Sequence, residues 1–195
     1  MKKINVIALA ILLLASCKKE SNELNSTVSA QDELSSNTNA RKIAVPRPFE
    51  ITFYTTKDTN STIPPTSCSG DLPGFANAGV FLHGTATHLG LIDSLHSRLQ
   101  DVNCNLSFAT ALLTTNFAGQ MAAQNGDLIF YTGDDEINVY NLLTGAGTTG
   151  TITGVWTITG GTGRFEGASG SFTINGPVDF TTATFSGTGI GTITY

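Results

Sequence analysis

Apolar and polar residues alternate with a period of two along much of the chain after residue 46, which is the pattern of half-buried β-strands. Phe49, Ile51 and Phe53 fall on one face of such a strand, and Ile152 and Trp156 fall on one face of another. No segment carries the apolar stripe of an amphipathic helix. The same alternation predicts further strands at 80–88, 91–100, 104–114, 117–123, 127–132, 136–143, 170–175, 180–186 and 189–195.

Clusters of glycine, asparagine and aspartate between these strands predict tight turns. Gln124–Asp127 (QNGD) is typical of a β-hairpin, because Asn and Gly both tolerate positive φ. The same composition predicts turns at 133–135, 145–150, 160–163 and 175–177. Many short strands joined by tight turns indicate an all-β barrel or sandwich, and strand runs adjacent in sequence favour an up-and-down path.

The first sixteen residues have the layout of an export signal, with two lysines, an apolar run over 6–14 and small residues before Cys17. The run is about half of the ~20 residues that a membrane-spanning helix needs. Leu14–Cys17 (LASC) resembles the lipobox of bacterial lipoproteins, which implies that Cys17 becomes the acylated first residue of the mature chain. An ordinary secretory signal with a chance cysteine is the alternative.

Residues 17–46 are rich in Ser, Asn, Glu and Lys and show no periodicity, which predicts a lipid-anchored flexible tether. The Val-Pro-Arg-Pro stretch at 45–48 predicts that the folded domain begins near residue 47 and extends to residue 195. The residue directly after Cys17 is Lys18 rather than aspartate, and in a Gram-negative envelope this favours transfer of the lipoprotein to the outer membrane. Whether the domain faces the periplasm or the cell surface stays open.

Charge excludes one class of partner. From Ile51 onward the chain has three cationic side chains against ten Asp and Glu, a net charge of −7, so nucleic acid would be repelled.

Once Cys17 is assigned to lipid, Cys68 and Cys104 remain, and an even pair in an exported protein most simply forms a disulfide. A reactive thiol is not supported, because no basic cluster flanks either residue.

The glycine-rich stretch 160–172 (GGTGRFEGASGSF) predicts bends in a closing sheet rather than a phosphate cradle, with Phe165 and Phe172 beside them in the core. A phosphate loop requires a lysine followed by Ser or Thr at the start of a helix. Residues 145–150 do match GxGxxG, yet a strand follows them, so we expect no cofactor there.

Three stretches in this order resemble small exported bacterial relatives of allene oxide cyclase and the dirigent proteins. They are Ala86–Gly90 (ATHLG), Ala123–Asp127 (AQNGD) and the glycine-rich stretch 160–172. The resemblance covers about residues 80–195 and implies a single antiparallel eight-stranded up-and-down β-barrel with a central cavity, which is often oligomeric in plants. It transfers no catalytic residue to this chain.

Candidate chemistry is sparse. His88, Arg164 and Glu166 form a possible lumen or polar site, and Glu166 with either Arg164 or His88 is the best candidate acid/base pair. The three histidines lack metal-ligand spacing, and residues 134–136 are expected to form a solvated acidic hairpin tip rather than a calcium loop. We therefore expect no catalytic residue, metal or cofactor.

The expected function is that of an envelope lipoprotein whose barrel binds an apolar or amphipathic small molecule or a partner protein, with a homo-oligomer possible. The alternative is an isomerase or cyclase-like enzyme that acts on an apolar substrate in the lumen, as the resemblance would allow. A closed interior packed solid with side chains would exclude both functions and leave a structural or interaction role.

Overall fold

Eight long β-strands account for most of the residues that the computed structural model describes, which are 44–59, 66–71, 76–77 and 79–195. The predicted signal, Cys17 and most of the tether lie outside the described residues. The strands are β1 (Arg47–Lys57), β2 (Val80–Ala86), β3 (Arg98–Ser107), β4 (Leu112–Ala122), β5 (Leu128–Asn138), β6 (Thr149–Gly161), β7 (Ser169–Asp179) and β8 (Thr184–Thr194). The all-β prediction is therefore confirmed.

The eight strands form a ring in which each strand pairs antiparallel with its neighbour in sequence, and β8 returns to pair with β1. The shortest pairing joins β2 to β3 through Val80 with Leu99 and Phe81 with Arg98. An up-and-down path, as expected, thus closes on itself. Closure leaves the two faces of the sheet in different environments, because one faces the interior of the ring and the other faces water.

Alternation in the sequence decides which side chains enter the ring. Phe49, Ile51 and Phe53 in β1 are buried, as predicted, as are Ile152 and Trp156 in β6. Trp156 is fully buried and is the centre of an aromatic cluster. Its ring stacks on that of Tyr131 with centroids 5.0 Å apart, and it also contacts the rings of Phe53, Phe117 and Phe172.

The glycine-rich stretch bends the chain, as the sequence predicted. The pairing of β6 with β5 shifts register between Ile158 and Gly160, and a short 3-10 turn, Gly163–Phe165, places Phe165 in the core with 0 % exposure. Gly170 has φ of +142°, and a Cβ there would lie 2.1 Å from the carbonyl oxygen of Thr192. Glycine is therefore required where β7 begins its pairing with β8.

Two predicted turns are wrong, because 133–135 lies within β5 and 175–177 lies within β7. The glycines in these segments serve close packing instead. A Cβ on Gly133 would lie 2.3 Å from the ring of Phe117, and one on Gly176 would lie 1.8 Å from the carbonyl oxygen of Ser186. The hairpin at 124–127 is confirmed, with Gly126 at φ of +88°.

Several predicted strand boundaries are also wrong. The strand predicted at 136–143 ends at Asn138 and is followed by a short helix, α1 (Tyr140–Thr144). The strand predicted at 104–114 spans the turn between β3 and β4. The strand predicted at 91–100 includes a 3-10 turn at Ser94–His96, and the one predicted at 180–186 begins in the turn before β8.

In the part of the chain that the structure describes, no helix is long and apolar enough to cross a bilayer.

The predicted disulfide is confirmed between Cys68 and Cys104, whose Cα atoms lie 4.5 Å apart. It joins β3 to a short strand, Ser69–Gly70, which pairs in parallel with Asn105 and Leu106 of β3. Both cysteines are buried. The disulfide therefore holds this short strand against the edge of β3 that β2 leaves unpaired.

Candidate functional site

One end of the ring encloses a cavity of about 440 Å³. Its lining residues come from one rim, since Lys57 ends β1, Leu113 lies near the start of β4 and Ile137 lies near the end of β5. The opposite end is filled by buried side chains, which include those of Met121, Ile129, Phe165 and Ile193. The lumen is thus a pocket with one mouth, and its floor lies near the middle of the ring.

The cavity has one polar wall. Asp101 of β3, Thr115 of β4 and Asp135 of β5 line it from three adjacent strands, and all three residues are buried. Thr115 lies directly opposite Asp135 in the pairing of β4 with β5. Most of the remaining wall is apolar and includes Val80, Leu99, Ile152 and Val178. A mostly apolar pocket with a few convergent polar groups is the usual form of a small-molecule site.

Asp135 is held by two features of the neighbouring strand β6. The carboxyl Oδ1 accepts a hydrogen bond of 2.9 Å from the indole Nε1 of Trp156. Gly154 is the register partner of Asp135, and a Cβ at that position would lie 1.8 Å from the same Oδ1. Because Gly154 has no side chain, the carboxyl group can lie across β6 and reach Trp156.

The environment of Asp135 favours its neutral form. The pKa of this carboxyl is raised to about 7, mainly by burial; the hydrogen bond from Trp156 opposes the rise, and the negative charges of Asp101 and Asp134 contribute to it. Burial likewise raises the pKa of Tyr131, helped by the charge of Asp135. Asp135 can therefore exist near neutral pH as either a hydrogen-bond donor or an anion.

The rim of the cavity is apolar and partly exposed. Leu142 and Leu143 of α1 line it, together with Phe108 from the turn between β3 and β4 and Phe180 from the turn between β7 and β8. Leu142 is 44 % exposed and Phe108 is 48 % exposed, so apolar surface continues from the lumen to solvent. Lys57 supplies a cationic side chain at this rim.

The residues predicted as a polar site lie elsewhere. Nε2 of His88 lies 3.0 Å from the carbonyl oxygen of Pro48, and its ring contacts Tyr195 edge to face. Arg164 is exposed and pairs with Asp127 at 3.4 Å rather than with Glu166, which is also exposed. None of His88, Arg164 and Glu166 lines the cavity.

The three histidines occupy separate environments. His83 lies 2.8 Å from the hydroxyl of Thr56 and stacks on Tyr54, while His96 pairs with Asp93 at 2.7 Å. Within the described ranges, no group of three or more His, Cys, Asp or Glu side chains is placed to hold a metal ion.

The expectation of a solvated acidic tip at 134–136 is wrong for Asp135, which is only 3 % exposed. A signal for its inward position was present in the sequence. Alternate positions of a strand face the same side, and here these are Tyr131, Gly133, Asp135 and Ile137. The first and last of the four, Tyr131 and Ile137, are apolar, which indicates that the whole set faces the interior. The run Gly133–Asp135 also has the composition of a turn, and this led to the wrong prediction.

In comparisons with known proteins, no protein-family model matches the chain, and no curated protein or solved structure is significantly similar to it.

Proposed function

We propose that this domain binds one apolar or amphipathic small molecule in its lumen. The observation that carries the proposal is the cavity of about 440 Å³ whose apolar walls surround one patch of buried polar side chains. A ligand would place its apolar body against Val80, Ile152 and Val178 and its polar end against Asp135. Burial of the apolar body supplies the affinity, at about 25 cal/mol for each Å² removed from water.

The test compares a cavity-filling variant with a matched surface variant. Leu113→Trp places a large side chain in the lumen, whereas Thr114→Trp, at the next position of β4, places it on the exposed outer face. Binding of the neutral probe Nile red to the purified full chain is followed by the emission of the probe, and circular dichroism checks that both variants fold.

We expect saturable binding by the natural sequence and by Thr114→Trp. Binding by Leu113→Trp should be roughly 5- to 150-fold weaker, since a probe forced in beside the added indole would overpack the lumen at a cost of about 1–3 kcal/mol. Equal affinity in the two variants, or no saturable binding by the natural sequence, would contradict a ligand in the lumen.

We further propose that the chain is a lipoprotein anchored through Cys17 to the outer membrane, with the tether at 17–46 holding the domain away from the lipid. The motif at residues 14–17 and the signal layout before it support this proposal. Metabolic labelling with palmitate should mark the natural sequence and fail to mark Cys17→Ala. A natural sequence that takes up no label would contradict the anchor.

A second function, an isomerase or cyclase-like activity on an apolar substrate, is favoured by Asp135 itself. A carboxyl with a pKa of about 7 in an apolar lumen can both donate and accept a proton near neutral pH. In such an enzyme, Asp135→Asn would abolish turnover of a lumen-bound substrate while leaving its binding intact. If both turnover and binding survive in this variant, Asp135 is not the acid or base.

A further inference from the structure

Two buried carboxyl groups share one region of the lumen wall. Asp101 in β3 and Asp135 in β5 are separated by the single strand β4, and both line the cavity. They are close enough for the negative charge of Asp101 to act on Asp135. A buried carboxylate is stabilised by hydrogen-bond donors and by positive charge placed against it.

Among the described residues, the groups that face Asp135 bring little positive charge. Tyr131 and Asp134 lie on its own strand, Asp101 acts on it from β3, Thr115 lies beside it in β4, and Trp156 donates from β6. Among the described residues that line the cavity, Lys57 is the one cationic side chain, and it is exposed at the rim, where water screens its charge. The domain as a whole carries a net charge of −7 from Ile51 onward, which favours the approach of cations.

We propose that the ligand of this lumen is an amphiphile with a cationic amine head, which lies against Asp101 and Asp135, and an apolar body, which fills the rest of the cavity. This inference rests on the ligand-binding function proposed above and adds the chemical class of the ligand. The ammonium group donates charge-assisted hydrogen bonds to the carboxylates, and these are about twice as strong as hydrogen bonds between neutral groups. The phenyl rings of Phe108, Phe180 and Phe185 add apolar surface along the lining for the body of the ligand.

Other head groups fit this wall less well. A carboxylate or phosphate head would add a further negative charge beside two buried acids. A neutral alcohol can donate one hydrogen bond to Asp135, but it does not offset the negative charge there. The polar wall therefore discriminates among amphiphiles by the charge of the head, while the apolar wall accepts many bodies of suitable size.

The experiment compares decylamine, decanol and decanoate, which share one alkyl chain and differ in the head. Binding to the purified full chain is followed by the emission of Trp156, the single tryptophan of the sequence, whose indole donates to Asp135. At about pH 8 we expect decylamine to bind about tenfold more tightly than decanol, with decanoate weakest. Below about pH 6 the advantage of the amine should fall, because Asp135 takes up a proton.

Asp135→Asn should sharply reduce the advantage of decylamine and preserve the binding of decanol, since the amide oxygen can still accept from Trp156. Glu136→Gln is the matched control, because it removes the same charge from the next, exposed position of β5 and should leave all three affinities unchanged. Asp101→Asn should reduce the advantage of the amine as well, which keeps the proposal testable if the first variant folds poorly.

The outcomes separate the two proposals. Equal affinity for decylamine and decanol at both pH values overturns the cationic head and leaves the binding function standing. Tightest binding of decanoate also overturns it and assigns head-group selection to Lys57 at the rim. Saturable binding of none of the three probes overturns the binding function itself.

Discussion

Replacement of Asp135 by asparagine should remove a large pH dependence from the stability of the domain. In the folded chain burial raises the pKa of this carboxyl from its ordinary 3.8 to about 7. Between these two values the folded state holds a proton that the unfolded state has released. The stabilising contribution is therefore complete below about pH 4 and is lost as the pH rises through the folded pKa near 7. Asparagine does not titrate and has nearly the same shape.

The size of the effect follows from the difference between the two pKa values. One pKa unit corresponds to about 1.4 kcal/mol, so a rise from 3.8 to about 7 corresponds to at most about 4 kcal/mol of unfolding free energy. Relative to the natural sequence, Asp135→Asn should gain stability progressively between about pH 4 and pH 7 and no more above that range. This figure already contains the relief of repulsion with Asp101, because that repulsion is one cause of the raised pKa.

The assay is urea unfolding of the full chain at a series of pH values, followed by the emission of Trp156. Glu136→Gln, at the exposed neighbouring position, is the control and should track the natural sequence within about 0.5 kcal/mol. If the stability difference between Asp135→Asn and the natural sequence is the same at pH 4 and pH 8, the carboxyl is not held neutral by burial and the reasoning is refuted.

Three further predictions concern the frame around the site. Phe165→Ala should lower the unfolding free energy by about 3–5 kcal/mol in chemical denaturation, because this fully buried ring fills the closed end; a loss below about 1 kcal/mol would contradict that role. Replacement of Cys68 and Cys104 by serine should lower it by about 4 kcal/mol for a loop of 36 residues, and an unchanged melting curve under reducing and oxidising conditions would argue against the bond. Arg164→Ala should change it by less than about 1 kcal/mol, since the Arg164 side chain of the pair with Asp127 is exposed; a larger loss would show that this pair is structural.

The fold was predictable because its main signal is local. Period-two alternation identified β1, β6 and their inward residues, and the hairpin at 124–127 was predictable from Asn-Gly, although only Gly126 takes positive φ and Asn125 instead bonds through its side chain to Asp127. Glycines misled the prediction at Gly133 and Gly176, where the absence of a side chain serves contact with a neighbouring strand rather than a turn. Sequence alone does not distinguish these two uses of glycine, because the neighbour that requires the space is distant in the chain.

The positions of the buried acids in the candidate site also depend on strands that are distant in the chain. In β3 a register shift between Asp101 and Asn103 changes the parity, so that Asp101 and Cys104 both face inward although they are three residues apart. Asp135 enters the lumen wall because Gly154 of β6 leaves room for its carboxyl and Trp156 provides a donor. The sequence by itself determined the class of fold, the charge and the cysteine pair, since these follow from residue type and local period. Only the tertiary structure decided which acids are buried together, because that depends on register between strands and on space that other strands leave open.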